Sequence, residues 1–279
     1  MPQKYGLLRR TFAYGFKSLV KVPSAFVLMS GLTLALNLPR LIPLLGTGEH
    51  EFPVILKYAW PPFFMVLLIT SYGYVVILIR KKTPILGGQV SAERSFQEFR
   101  PLIYSCLRMA LLLVLLYLII QVPFSLVLVG SVLTHLGSAL LAVCLLTVIS
   151  IALASAVLGP ILLGYNLVLL EGSKQILPGI SRAFSLIRGR YWYPLSTIAI
   201  IQVLVLALSI VIAMVGGLIL GSDQIVSRTT DQLVDITLWI FYSFLAGAAI
   251  VFTAGCFNMV HHALTEVSET VKPSEVTKQ

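Results

Sequence analysis

The chain has 279 residues, 58% of them hydrophobic and 11% charged, with a net charge of +9. A soluble domain is roughly 45–50% apolar and about 25% charged. The charges here are too few to coat a soluble protein of this size, and that class is excluded. Met109–Leu170 is a run of 62 residues without one Asp, Glu, Lys or Arg. A helical span needs about 20 apolar residues, so two spans and a turn explain the run where a soluble helix pair does not.

In chain order, the first element is a basic amphipathic segment. Leu8, Phe12, Phe16 and Leu19 recur at spacings of three and four, which places them on one helical face. Span 1 is expected over 22–45. Its mostly apolar run Ala25–Leu38 resembles a signal-peptide core in length, but no small-x-small cleavage site follows at Asn37-Leu38-Pro39-Arg40. Arg40 can snorkel to the outer interface from a span that ends near Leu45. Span 2, 58–79, carries no formal charge.

A second basic segment follows, with apolar Ala92, Phe96, Phe99 and Ile103 at helical spacing. Spans 3 and 4 are expected over 105–129 and 139–170, the latter kinked or tilted near Gly159-Pro160 and Gly164. A third basic segment carries Ile176, Ile180, Phe184 and Ile187 on one face. Spans 5 and 6 are expected over 193–221 and 236–260, before a polar tail, 266–279. The fold class is thus an all-α polytopic membrane protein with six transmembrane helices, residues 1–265 forming one membrane domain.

Charge sets the expected orientation, because basic residues favour cytoplasmic loops. Of the 20 Lys and Arg, 17 fall on one side of this layout, and Arg40, Lys57 and Arg228 fall on the other. Both termini are expected in the cytoplasm. The missing targeting peptide and the lack of N-x-S/T sequons in the expected outer loops fit the inner membrane of a prokaryote. The basic residues flank spans, where topology and anionic headgroups account for them. Nucleic acid is therefore not an expected partner.

The three basic segments repeat. Arg10-Thr11-Phe12, Arg94-Ser95-Phe96 and Arg182-Ala183-Phe184 each read Arg, small residue, Phe, and their arginines lie 84 and 88 residues apart. A basic amphipathic helix lies in the headgroup layer with its apolar face toward the lipid tails. The expected unit is one interfacial helix followed by a transmembrane hairpin, repeated over about 5–80, 90–170 and 174–260. Units of two spans share one orientation, as parallel repeats do.

The stretch from Leu169-Leu170-Glu171-Gly172 through Arg182-Ala183-Phe184-Ser185-Leu186-Ile187-Arg188-Gly189-Arg190-Tyr191-Trp192 resembles a recurring element of a group of bacterial membrane proteins. The group includes the membrane domain attached to some glycerophosphoryl diester phosphodiesterases, and related stand-alone proteins. The resemblance implies a six-helix membrane domain of related hairpins. It implies no catalytic residues, since the chemistry in that group belongs to a separate soluble domain. Members often end the last span with a Tyr-Tyr-Asp-x-Arg-like run, where this chain has Asn258-Met259-Val260-His261-His262-Ala263-Leu264.

Little else points to chemistry. Cys106, Cys144 and Cys256 lie in apolar stretches and read as small buried residues. His262 and Glu266 share a helix face beside His261, but His50 and His135 are expected on the opposite side, so no metal set of three or four ligands forms. No cofactor is expected. Polar residues inside spans are the default functional pointers in membranes; here the candidates are Asn37, Arg40, Arg108, Gln121, Asn166, Glu171, Gln202 and Asn258, of which Gln121, Asn166 and Gln202 are those that could line a path. Small residues such as Gly247 and Gly255, eight apart in span 6, mark close helix contacts. Arg10, Arg94, Arg182, Arg188, Arg190 and Trp192 are the candidate interfacial contacts to lipid. The expected function is a non-enzymatic membrane protein that organises lipids or partner proteins, whether another protein or a second copy. The alternatives are a transporter or channel lined by Gln121, Asn166 and Gln202, or an intramembrane enzyme centred on His261, His262 and Glu266.

Overall fold

The computed structural model describes residues 2–45, 54–82, 92–115, 119, 149, 161, 163–166, 168–170, 176–188, 190–221 and 228–271. Among the described residues all regular structure is helical. The elements are α1 (Pro2–Lys21), α2 (Pro23–Leu45), α3 (Val54–Lys82), α4 (Ala92–Phe99), α5 (Ile176–Ile187), α6 (Trp192–Gly221) and α7 (Arg228–Val271). A turn of 3-10 helix, Arg100–Leu102, leads from α4 into helical residues 103–115. Residues described between 161 and 170 are also helical.

Two stretches, Trp60–Arg80 and Ile236–Thr265, are long and apolar enough to cross a membrane. The pair Gly6–Lys21 and Pro23–Pro39 makes a third if its 86° bend is counted within one span. The cause of the bend is local. Pro23 has no amide hydrogen and disfavours helical backbone at Val22, yet it suits the first position of a new helix. The Val22 amide donates to the Ser18 carbonyl at 3.0 Å, and the Val22 carbonyl starts α2 by accepting from the Ala25 amide at 3.0 Å. Pro39 lies within α2 and does not end it.

The long helix α7 is the hub. α2 runs antiparallel along it: Ser30 meets Gly247, while Thr33, one turn on, donates to the Ser243 carbonyl at 2.6 Å. Asn37 reaches the Ser243 hydroxyl at 3.3 Å. α1 crosses α7 steeply, because Thr11, Gly15 and Ser18 all meet the short stretch Phe252–Cys256. Farther along, the Asn258 amide donates to the Val76 carbonyl of α3 at 3.2 Å. Phe257, Val260 and Leu264 then pack with Leu163, with Ala183 and Ile187 of α5, and with Ile198 of α6.

Three elements form an inner triangle: α3, residues 161–170 and α7. Tyr165 stacks on Tyr72 at 5.8 Å and donates to the Ile69 carbonyl at 3.1 Å. Arg80 donates to the Leu170 carbonyl, closing the same pair at its far end. The remaining long elements fill the grooves of this triangle. α2 lies against α3 and α7, with Trp60 donating to the Ala35 carbonyl at 2.8 Å. Residues 103–115 place Cys106 and Met109 in the cluster that holds Tyr72 and Tyr165. α6 lies against α7 and Leu163.

The expected spans 22–45, 58–79, 193–221 and 236–260 fall on α2, α3, α6 and α7. Those at 105–129 and 139–170 are helical wherever they are described; their remainder, including Gly159-Pro160, lies outside the described residues. α7 continues to Val271, beyond the boundary expected at 265.

Close approach at α7 yields a paired test. A Cβ on Gly247 would stand 2.6 Å from the Ser30 amide nitrogen and 2.7 Å from its Cα, whereas one on Gly31 meets nothing within 4 Å. Overpacking costs about 1–3 kcal/mol, while Gly to Ala in a helix gains about 1 kcal/mol. Gly247→Ala is expected to lower the melting temperature in detergent and Gly31→Ala to hold or raise it.

Candidate functional site

The three Arg-small-Phe segments occupy α1, α4 and α5. Their arginines, Arg10, Arg94 and Arg182, are exposed, and the small residues Thr11, Ser95 and Ala183 are fully buried. The apolar stripe expected to face lipid is divided. Phe96 and Phe184 are about half exposed, at 52% and 50%, whereas Phe99 and Ile187 are buried. The docking side of α4 and α5 is therefore a neighbouring stripe built on small side chains, and Phe96 and Phe184 point outward, whereas Phe12 of α1 is half-buried and stacks on Phe252 of α7 at 5.9 Å.

Each of these helices meets another element at a glycine. Phe99 of α4 approaches Gly73 of α3, and the Phe96 and Phe99 rings pack on Tyr74 at 6.2 and 5.8 Å. Ile180 of α5 brings its Cα to 3.0 Å from a Cβ on Gly164. Gly15 and Ser18 of α1 come equally close to Gly255 of α7. Gly73, Gly164 and Gly255 are spaced 91 residues apart, twice over. That spacing is visible in the sequence. The motif search missed it because it followed the basic segments, whose intervals differ by four residues, instead of the helices they dock on. The docking order is cyclic: α4 and α5 each sit on the long element before them, and α1, first in the chain, sits on α7, the last.

Inside the triangle lies a polar cluster. Asn166 is fully buried with Tyr72 as its polar neighbour. Neither its amide atoms nor the Tyr72 hydroxyl makes a hydrogen bond of good geometry among the described residues. The second atom of the Asn258 amide, Oδ1, is in the same position. Toward the end of α7, His261 is half-buried with Arg80 and Arg182 as electrostatic neighbours. Among the described residues no three His, Cys, Asp or Glu side chains gather.

The remaining candidates are dispersed. Arg188 and Arg190 are exposed in the turn between α5 and α6, and Trp192, at the start of α6, is 77% exposed. Gln202 is half-buried on α6. Gln121 lies outside the described residues, as does the Glu266 side chain. Arg108 is exposed and folds over the Tyr104 ring at 4.2 Å, donating to its hydroxyl at 2.7 Å. Tyr72 and Tyr165 form the interior cluster with Asn166, while Asn258 holds the Val76 carbonyl of α3; the sequence alone singled out Asn166 as the pathway candidate among them.

A buried hydroxyl without a partner costs about 1–3 kcal/mol. Tyr72→Phe is expected to leave the melting temperature unchanged or raise it. Asn258→Leu removes the bond to Val76 and is expected to lower stability by about 1 kcal/mol. A loss above about 1 kcal/mol in Tyr72→Phe would mean that the hydroxyl has a partner. Comparison with known protein families, with curated proteins and with solved structures found no match to this chain.

Proposed function

We propose that this chain is a non-enzymatic, six-span protein of a prokaryotic inner membrane that organises lipids, or a partner protein, at the cytoplasmic surface. It comprises three units, each an interfacial helix followed by a transmembrane hairpin, with both termini in the cytoplasm. The carrying observation is the repeated docking geometry: at three sites an exposed Arg precedes a fully buried small residue, the segment packs against a glycine of another element, and at two of the sites, Phe96 and Phe184, the Phe is outward. An arginine beside an exposed aromatic ring suits the headgroup layer, where the cation meets phosphate and the ring meets the acyl boundary. The 86° bend between α1 and α2 suits a helix that lies on a membrane before one that enters it. This layout is also what the resemblance to the diesterase-attached membrane domains implies.

A second reading, a transporter, has one observation in its favour: the buried polar atoms of Tyr72, Asn166 and Asn258. Tyr72 and Asn166 sit where Tyr165 crowds Gly73 and the rings of Tyr72 and Tyr165 stack, and Asn258 sits at the Val76 carbonyl. Interhelical polar groups of this kind also serve bundle packing, so the lipid-organising reading is preferred.

The test uses proteoliposomes with spin-labelled phosphatidylglycerol. Each basic residue near the surface contributes about 1 kcal/mol toward anionic lipid. Replacing Arg94, Arg182 and Arg188 together by Gln is expected to cut the motionally restricted anionic lipid several-fold, with phosphatidylcholine unaffected. An unchanged restricted fraction would contradict the proposal.

A further inference from the structure

Between α1, α6 and α7 lies a groove of about 430 Å³. Phe16 and Leu19 of α1 roof one end, the α6 wall extends from Ile201 to Val211, and the α7 wall from Leu245 to Phe252. Every lining side chain is a hydrocarbon. The volume falls within the ~300–1,000 Å³ of small-molecule sites. From Ile201 to Val211 a helix rises about 15 Å, which is half of the ~30 Å hydrocarbon core. The groove thus has the depth of one leaflet, the length of a single acyl chain.

The roofed end is also the cationic end. Thr11 of α1 and Tyr193 of α6 share a hydrogen bond of 2.6 Å, which pins the two helices together there. Arg9 precedes Thr11 by two residues and Arg190 precedes Tyr193 by three, and both are exposed. Arg9 also continues the stripe of Phe12, Phe16 and Leu19 at spacings of three, four and three. An apolar slot one leaflet deep, with one exposed guanidinium on the roof helix and one just ahead of α6, beyond the roofed end, complements an anionic amphiphile. We infer that this groove holds one acyl chain of an anionic phospholipid, whose phosphate is met by Arg9 and Arg190.

This inference rests on the lipid-organising reading and assigns it a specific site. It is tested on the full chain, purified in mild detergent and exchanged with phosphatidylglycerol or phosphatidylcholine, by counting retained lipid by native mass spectrometry. The wild type is expected to retain one phosphatidylglycerol, preferred over phosphatidylcholine by about tenfold, the scale of one charge-assisted hydrogen bond. Arg9→Gln with Arg190→Gln is expected to abolish the preference. Ala207→Trp, at an exposed groove position on α6, is expected to expel the lipid, and Leu111→Trp, exposed elsewhere, to leave it bound. Melting curves accompany each variant, and Ala248→Trp, on the α7 wall, replaces Ala207→Trp if the latter melts early. Equal retention of the two lipids by the wild type would overturn the inference. So would retention unchanged by groove filling, equal loss in Leu111→Trp, or a lipid-free dimer broken by Ala207→Trp. Because Arg94, Arg182 and Arg188 are untouched, an empty groove with normal lipid restriction around the chain refutes this site alone.

Discussion

The structure depends on backbone-to-backbone contact along α7. Gly247 admits α2 and Gly255 admits α1, each so closely that a single added carbon has no room. In hydrocarbon the lipid tails are as apolar as the helices, so packing of small surfaces replaces the hydrophobic effect as the force that joins helices. Close approach also brings side-chain hydroxyls within reach of a neighbouring backbone, as Thr33 shows at the Ser243 carbonyl. One glycine-lined helix thereby sets the positions of α1 and α2.

The same device recurs where short helices meet long ones. A buried Thr, Ser or Ala follows each exposed Arg, and each segment meets a glycine, Gly255 through Gly15 and Ser18, Gly73 through Phe99 and Gly164 through Ile180 and Ala183. The alternation is a physical necessity: a helix at a membrane surface must hold its cation outward while it seats its inner side on the bundle. α1 seats on α7 and so links the chain's first described helix to its last. That closure roofs one end of the apolar groove between α1, α6 and α7.

Much of this was legible in the residues. Uncharged runs located α2, α3, α6 and α7 within a few positions at their starts, except that α7 begins eight residues before the expected 236. That early start is built from polar residues such as Thr229, Thr230, Asp231 and Asp235, which hydropathy cannot distinguish from a loop. The direction of the amphipathic helices was less legible. Counting apolar positions selected Phe12, Phe96 and Phe184, but small side chains decide which side can seat on a helix, and hydrophobicity does not weigh them. Of the polar candidates, Asn166 proved central to the interior cluster and Gln202 sits on a peripheral helix, a difference set by tertiary packing and not by composition.

The claim on which the account turns is that the basic segments share one membrane face and the segments with Glu49 and Asp223 share the other. Single cysteines introduced at Lys17, Arg94 and Arg188, and separately at Glu49 and Asp223, in a chain whose Cys106, Cys144 and Cys256 are replaced by Ala, can be probed in intact cells with an impermeant maleimide. The account predicts labelling at Glu49 and Asp223 alone, with the other three positions reacting only after the membrane is opened. Labelling of any basic-segment position from outside, or equal labelling of all five, would contradict it.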